Sequence, residues 1–274
     1  MSIPNTSNVE IREVWANNLH QEIELIQKVV ENYQYVAMDT EFPGTVHGRY
    51  MDTSYETLKK NVNDLKLIQL GLTFSDDQGN LPTLGNGKYC VWQFNFREFD
   101  PAKDKQNQQS ITLLVESGID FKRNREEGVE ASEFSKLLTP SDAVLNCGKR
   151  WIVFHGSSDF GYLVKVLTGR PLPDTESDFM KLVKVYFPKF YDVEYMMKSC
   201  GIVPGGLRML AEILDVNRIG SIHQAGSDSL LTCHTFFKLI EVYDLKNKLQ
   251  EKFEGVLSGL GPGANTCIPP EGKK

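Results

Sequence analysis

Residues 35–42 read Tyr-Val-Ala-Met-Asp-Thr-Glu-Phe, a short apolar run that ends in two carboxylates. An apolar run of this length is typical of a buried strand, and we predict a strand at Tyr35–Met38. Asp39 and Glu41 are two positions apart, so their side chains lie on the same face of an extended chain. Asp and Glu are depleted in strands. An Asp-x-Glu pair alone would mean little, but together with the two acidic motifs that follow it indicates a functional site rather than a solvated strand end.

Two later segments add further acidic residues. Asp159 and Asp228 each begin a predicted helix, and either residue alone is typical of a helix N-cap. Together with Asp39 and Glu41 they make four carboxylates, and His223 adds an imidazole five positions before Asp228. Carboxylate oxygens suit Mg²⁺ and Mn²⁺. The set can therefore hold two divalent cations and activate water against a phosphodiester, with the imidazole accepting the proton.

The segments around these motifs predict the fold class. Three strands follow one another without strong helices between them, as in an antiparallel meander, and two further strands alternate with helices. This order predicts an α/β fold, a mixed sheet flanked by helices on both faces. The predicted strands are Tyr35–Met38, Leu65–Phe74, Tyr89–Phe96, Trp151–His155 and Tyr191–Val193.

Other segments give the predicted domain organisation. Helical spacing of apolar residues predicts an amphipathic helix at about 11–33, and another at 227–249. Residues 43–63 contain glycine, proline and mixed polar residues, which indicates a surface excursion. From residue 255 the chain is rich in glycine and proline. We therefore predict one domain over residues 1–254 and a disordered tail over 255–274.

Composition excludes several classes of protein. The chain has 274 residues and a net charge of −6, and no apolar run approaches the ~20 residues of a membrane helix. The acidic balance argues against extensive duplex binding. Two basic clusters, Lys122-Arg123-Arg125 and Lys149-Arg150, fit solvated surface charges better than a track for RNA. Five widely spaced cysteines indicate reduced thiols, so we expect a cytoplasmic protein, with the nucleus as a second compartment.

The three acidic motifs resemble those of the DEDD exonucleases, in the subclass that carries a histidine and has a ribonuclease H-like fold. Neighbouring sequence words make the resemblance narrower, to the Caf/Pop deadenylase family. It extends from about residue 10 to about residue 245. The words are VAMDTEFPG (36–44), LIQLGLTF (67–74), WQFNF (92–96), DFGYL (159–163), YDVEYMMKSC (191–200) and HQAGSDSLL (223–231).

This resemblance implies a specific activity. Members of the family shorten mRNA poly(A) tails in the 3′→5′ direction, release 5′-AMP and act as a nuclease subunit of the Ccr–Not complex. By resemblance, two cations, Mg²⁺ or Mn²⁺, are held by Asp39, Glu41, Asp159 and Asp228, and His223 is the general base. The implied partners are poly(A) RNA, the large Not scaffold and a leucine-rich-repeat deadenylase, with no membrane.

Two residues and two functions are left open. Phe42 either packs in the core or stacks on the terminal base, and we include it with His155 as RNA-binding residues. His155 lies four positions before Asp159, whereas many members of the superfamily place a histidine five before. One alternative function is a DEDD-type 3′–5′ exonuclease of other RNA or DNA ends. The other is a binding module with an inactive site, which the loss of a carboxylate would favour.

Overall fold

The computed structural model describes residues 8–48, 54–85, 87–203 and 205–260. Six strands form one mixed sheet in the order β1-β4-β3-β2-β5-β6. The central strand β2 pairs antiparallel with β3 and parallel with β5. The predicted meander β2-β3-β4 and the mixed sheet are confirmed. The strands are β1 (Val9–Val14), β2 (Tyr35–Glu41), β3 (Gln69–Ser75), β4 (Tyr89–Asn95), β5 (Arg150–Val153) and β6 (Phe190–Asp192).

Helices connect and cover the strands. They are α1 (Leu19–Val30), α2 (Tyr55–Asp64), α3 (Gln108–Glu116), α4 (Phe121–Glu127), α5 (Ala131–Leu138), α6 (Ser157–Thr168), α7 (Glu176–Tyr186), α8 (Val193–Ser199), α9 (Leu207–Ile213) and α10 (Ala225–Val242).

Alternation along β2 divides the interior between two faces of the sheet. Val36 and Met38 belong to a core built with α1, α2, α5, α6 and α7. Ala37, between them, belongs to a second core built with α8, α9 and α10. Successive side chains of a strand point to opposite faces, so the two cores lie on opposite sides of the sheet. Helices therefore flank both faces, as the sequence predicts.

The predicted helix over 11–33 is wrong in its first half. Val9–Val14 is strand β1, which pairs parallel with β4, and the helix begins at Leu19. The apolar residues Val9 and Ile11 alternate with Glu10 and Arg12, so their spacing also fits a strand. The Asn18 side chain accepts a hydrogen bond from the backbone of Trp15 and marks the turn between the two elements.

Two other boundaries differ from the prediction. The excursion at 43–63 contains helix α2, which is capped by the Ser54 hydroxyl; residues 49–53 lie outside the described residues. The helix predicted over 227–249 ends at Val242, and short irregular turns follow.

The predicted tail begins too early. Leu257 and Leu260 are buried, 0% and 3% exposed, against the core on the α1–α2 side of the sheet. The folded region therefore continues to residue 260, beyond the predicted boundary at 254. The rest of the predicted tail, 261–274, lies outside the described residues.

The basic clusters are also more structural than predicted. Lys149 is buried, and its ammonium group donates to the carbonyls of Val30 and Tyr33 at the end of α1. The Arg123 guanidinium lies 4.0 Å from the ring centroid of Trp15. Lys149 thus caps a helix C-terminus, where carbonyl groups lack intrahelical partners.

Candidate active site

Three of the four predicted carboxylates converge at the end of β2. One oxygen from each of Asp39, Glu41 and Asp228 lies within 4.8 Å of the corresponding oxygens of the other two. Asp39 and Glu41 lie on β2, and Asp228 lies in the first turn of α10. Their shared face of the sheet is the face that α10 covers, because Ala37 and α10 belong to the same core.

A glycine in β3 makes this approach possible. Gly71 pairs directly with Asp39 across β2 and β3. A Cβ at position 71 would lie only 1.8 Å from the carbonyl oxygen of Ala225, the first residue of α10. A side chain there would force the helix away from the sheet. Gly71 thus sets how closely Asp228 can approach Asp39.

Two glutamine side chains of the sheet accept hydrogen bonds from the first backbone N–H groups of α10. The backbone N–H groups of Ala225 and Gly226 donate to the side-chain oxygens of Gln69 at 3.3 Å and Gln93 at 2.9 Å. Both glutamines in turn donate to the Gln224 side chain, at 3.1 and 2.8 Å. Because the first N–H groups of a helix have no intrahelical partners, these bonds fix the helix start on β3 and β4.

Asp159 lies outside the group of three. It is in the first turn of α6, 7% exposed, and accepts a hydrogen bond from the Thr40 hydroxyl at 2.5 Å. Thr40 lies between Asp39 and Glu41 on the strand, so it ties Asp159 to the same strand end. The Asp159 charge is close enough to raise the pKa of both Asp39 and Glu41.

The carboxylates repel one another, which disfavours their charged forms. Burial, followed by repulsion from Asp228, raises the pKa of Asp39 well above its ordinary value. The same causes, in the same order, raise the pKa of Glu41 to about 8. Burial raises the pKa of Asp159 to about 6, although the hydrogen bond from Thr40 opposes the rise. Such a cluster favours either protons or a bound cation.

One oxygen of Asp228 lacks a partner among the described residues, and this shows whether a metal ion fits the site. Its Oδ1 is 2.7 Å from an Arg218 nitrogen, whereas its Oδ2 is buried and has no hydrogen-bond partner among the described residues. Burying a polar atom without a partner is costly, so a buried bare carboxylate oxygen indicates a site for a cation. The donors are all carboxylate oxygens, the ligands that Mg²⁺ and Mn²⁺ prefer. The residues therefore fit a divalent cation.

His223 lies in the turn just before α10. Its backbone φ of 56° is in the left-handed region, and the residue is partly exposed. Left-handed backbone at a residue other than glycine is held by its surroundings and is common at functional sites. His223 lies two residues before the start of α10, the helix that carries Asp228. Its role as a base stays a prediction.

Phe42 and His155 have protein partners. The Phe42 ring is partly buried and stacks on Tyr162, with centroids 4.8 Å apart. His155 Nδ1 is 2.6 Å from a Glu194 oxygen, and this hydrogen bond raises the pKa of the imidazole. Phe42 directly follows Glu41 along the chain, and His155 lies four positions before Asp159. Their assignment to RNA binding stays a prediction.

Sequence reasoning missed Arg218, Thr40 and the glutamine pair Gln69 and Gln93. Gly71 had a usable signal, because an isolated glycine within a strand indicates close approach of another backbone. Arg218 had none, since an arginine in a polar loop looks like an ordinary surface residue. Only the packing of that loop against α10 brings it to Asp228.

Comparison with known proteins settles the family. The family model described as CAF1 family ribonuclease matches residues 14–139 and 131–217. The chain belongs to the CAF1 ribonuclease family. An Arabidopsis thaliana relative, a probable CCR4-associated factor 1 homolog 7, is 53% identical over 261 residues, covering 93% of this chain and 94% of the relative. The Schizosaccharomyces pombe poly(A) ribonuclease pop2 is 44% identical, with 92% of this chain and 75% of that protein covered.

Solved structures agree with this placement. A structure of S. pombe Pop2p in its Mg²⁺- and Mn²⁺-bound form matches with a TM-score of 0.85, covering 91% of this chain and 99% of that one. A chain from a structure of the yeast NOT1 MIF4G domain co-crystallized with CAF1 matches with a TM-score of 0.78 and 33% identity, covering 94% of this chain and 100% of that one. The fold of this CAF1 family member is ribonuclease H-like. Among the described residues, none of the helices combines the length and apolar character needed to cross a membrane.

Proposed function

We propose that this CAF1 family ribonuclease shortens the poly(A) tails of mRNA from the 3′ end and releases 5′-AMP. The observation that carries the proposal is the convergence of Asp39, Glu41 and Asp228, with a buried Asp228 oxygen that has no hydrogen-bond partner among the described residues. The adenylate preference rests on the 44% identity to a protein named poly(A) ribonuclease.

The carboxylates would hold the cations. Asp39, Glu41 and Asp228 supply one set of oxygens, and Asp159 joins them in our proposal of two divalent ions, Mg²⁺ or Mn²⁺. When bound, such ions polarise the phosphate and make water a better nucleophile. The Thr40 hydroxyl fixes the orientation of Asp159. Asp159 and Asp228 are buried, and Asp39 and Glu41 are partly buried, so water screens the attraction of these carboxylates for cations less than it would at the surface.

His223 would accept the proton from the attacking water. A neutral imidazole nitrogen can accept a proton from an attacking water, which is the part of a general base. The residue is partly exposed, so a substrate water can reach it. The left-handed turn and the fixed start of α10 hold it in place relative to Asp228. General-base catalysis of this kind typically contributes ~10²–10⁴-fold in rate.

The proposal includes partners and a compartment. The likeness to a CAF1 chain co-crystallized with NOT1 supports the large Not scaffold as a partner of this chain. The leucine-rich-repeat deadenylase and the poly(A) RNA are proposed from the sequence resemblance. We also propose a cytoplasmic location, with the nucleus second, which the free thiols of Cys90, Cys147, Cys200 and Cys233 support.

A ladder assay tests the function. Purified protein is incubated with 5′-labelled RNAs of equal length that end in A, U or C, with Mn²⁺, with Mg²⁺ or with chelator. We expect a cation-dependent 3′→5′ ladder on the A-tailed RNA that slows at the first residue other than A. Asp39→Asn should abolish the ladder, and Asp77→Asn, at an exposed acid in a turn, should leave it intact.

Other outcomes would change the conclusion. Equal rates on all three tails would indicate a general 3′–5′ exonuclease of RNA or DNA ends. Internal cuts, or full activity in the Asp39→Asn protein, would contradict the assignment of the site. Cation binding without cleavage of any RNA would indicate a binding module.

A further inference from the structure

We propose that Arg218 is a positioning residue for Asp228, one that engages one oxygen of this carboxylate and so directs the other toward the cation. The inference rests on the proposed metal-dependent function and extends it to a residue outside the acidic motifs. Arg218 lies on the loop between α9 and α10, and its side chain is 18% exposed.

The guanidinium is held at two points. Arg218 Nη2 lies 2.7 Å from Asp228 Oδ1, and Nη1 donates to the Ser227 hydroxyl at 3.1 Å. That hydroxyl donates in turn to the backbone carbonyl of Ile219 at 2.7 Å. The loop and the first turn of α10 thus bind each other through one planar group. A guanidinium is always charged and rigid, so this fork sets an orientation as well as a charge.

The two oxygens of Asp228 have different surroundings. Oδ1 is engaged by Arg218, whereas Oδ2 is buried and has no hydrogen-bond partner in the described part of the chain. The same carboxylate lies within 4.8 Å of Asp39 and Glu41. The arginine therefore engages Oδ1 and leaves Oδ2, which has no hydrogen-bond partner among the described residues, available to a cation. It does not compete with a cation for both.

Repulsion explains why Asp228 needs a positioning residue. Asp39 and Glu41 are on β2, which faces the start of α10, and their charges repel Asp228 at short range. A carboxylate free to rotate would turn its oxygens toward solvent. Arg218 offsets the repulsion, because its charge also acts favourably on Asp39 and Glu41. Residues of this kind, which orient a metal ligand without touching the metal, typically affect metal affinity ~10–100-fold.

The packing of the loop supports the same role. Gly220, two positions after Arg218, has a φ of 89°. A Cβ at this position would lie 2.7 Å from the Ile11 side chain and 3.1 Å from Ser227 Cβ. The loop is therefore packed tightly between β1 and α10.

Calorimetric titration with Mn²⁺ tests the proposal. The full-length protein is compared with Arg218→Gln, Arg218→Lys and Ser227→Ala. Arg208→Gln is the matched control, because Arg208 makes an exposed ion pair with Glu212 on α9, 2.9 Å long. We expect the Mn²⁺ dissociation constant to rise ~10–100-fold in Arg218→Gln and less in Arg218→Lys and Ser227→Ala. Arg208→Gln should bind as the unaltered protein does.

Kinetics provide a second measurement that a purely structural role would not move. If Arg218 positions a metal ligand, saturating Mn²⁺ should restore most of the turnover of Arg218→Gln, so the defect appears in the Mn²⁺ requirement rather than in kcat. Arg218→Lys keeps the charge and serves if Arg218→Gln does not fold. Unchanged Mn²⁺ affinity in these variants, or tighter binding, would overturn the proposal, since tighter binding would make Arg218 a competitor of the cation.

The result separates this proposal from the proposed function. Weaker Mn²⁺ binding by Arg218→Gln in a protein that degrades no RNA supports the positioning role and contradicts the nuclease. Unchanged binding by Arg218→Gln in an active nuclease contradicts the positioning role alone.

Discussion

Replacing Glu41 by glutamine should stabilise the cation-free protein at alkaline pH. The folded protein raises the pKa of this carboxyl from 4.5 to about 8, first by burial and then by repulsion from Asp228 and Asp159. An acid whose pKa is raised on folding stabilises the fold while it is protonated. That contribution is complete below pH 4.5, and it is lost as the pH rises through about 8.

The magnitude follows from the shift. A rise from 4.5 to about 8 corresponds to roughly 5 kcal/mol of unfolding free energy, which is present below pH 4.5 and absent well above pH 8. Part of this cost is shared with the neighbouring carboxylates, and glutamine loses the attraction to Arg218. We therefore expect Glu41→Gln to gain about 2–5 kcal/mol at pH 8.5. For a protein of this size the gain corresponds to a melting temperature at least about 4 °C higher.

Thermal unfolding in chelator between pH 5 and 8.5 checks this expectation. The unaltered protein should lose stability as the pH rises, and Glu41→Gln should lose less, so the two curves diverge toward pH 8.5. Glu24→Gln, at an exposed glutamate on α1, is the control and should follow the unaltered protein. If the curves of Glu41→Gln and the unaltered protein stay parallel, or if Glu41→Gln is the less stable at pH 8.5, the electrostatic reasoning is wrong.

Three further outcomes are expected. Saturation with Mn²⁺ at ~100 times its dissociation constant should stabilise the unaltered protein by ~2.7 kcal/mol; thermal unfolding should show no comparable gain for Asp39→Asn, and an equal gain would exclude this site. His223→Ala should keep its Mn²⁺ affinity by calorimetry and lose ~10²–10⁴-fold in initial rate on A-tailed RNA, whereas near-normal turnover would refute its role as base. Gly71→Ala should cost at least ~1–3 kcal/mol in chemical unfolding, because its Cβ would meet the Ala225 carbonyl; Gly206→Ala, with open space around it, is the control, and equal effects would contradict the packing argument.

Local pattern was sufficient for the central part of the sheet. The apolar run before Asp39 predicts β2, and the spacing of Asp39 and Glu41 predicts that both project from one face. The structure brings both onto the face that α10 covers. These predictions succeed because a strand repeats every two residues, and this period depends on no distant contact.

Patterns that fit two structures gave the errors. Ile11 and Val14 have the spacing of a helix that would run into Leu19–Val30. The same segment also fits a strand, and only its pairing with β4 decides between the two structures. The Gly- and Pro-rich composition after residue 255 indicates disorder, yet Leu257 is fully buried. In both cases tertiary contacts outweigh the local preference.

The assembly of the site depends on contacts that no local pattern contains. The four acids can be found from the sequence, but nothing in their spacing brings Asp228 to within reach of Asp39 or leaves Asp159 bonded to Thr40. Gly71 brings the helix close, and the glutamines of β3 and β4 hold its first turn.

This arrangement also explains how a repulsive cluster can persist. The raised pKa of Asp39 and Glu41 and the buried bare oxygen of Asp228 are all unfavourable to the fold without a cation. They are tolerated because their backbones belong to the centre of the sheet and to the start of its longest helix, where many other contacts stabilise the same conformation. Because the sheet and the start of α10 hold these carboxylates together without a cation, the repulsion that a cation would relieve would add to its binding free energy. Arg218 also helps the cluster to persist, because its charge lowers the repulsion while one Asp228 oxygen is left without a hydrogen-bond partner among the described residues.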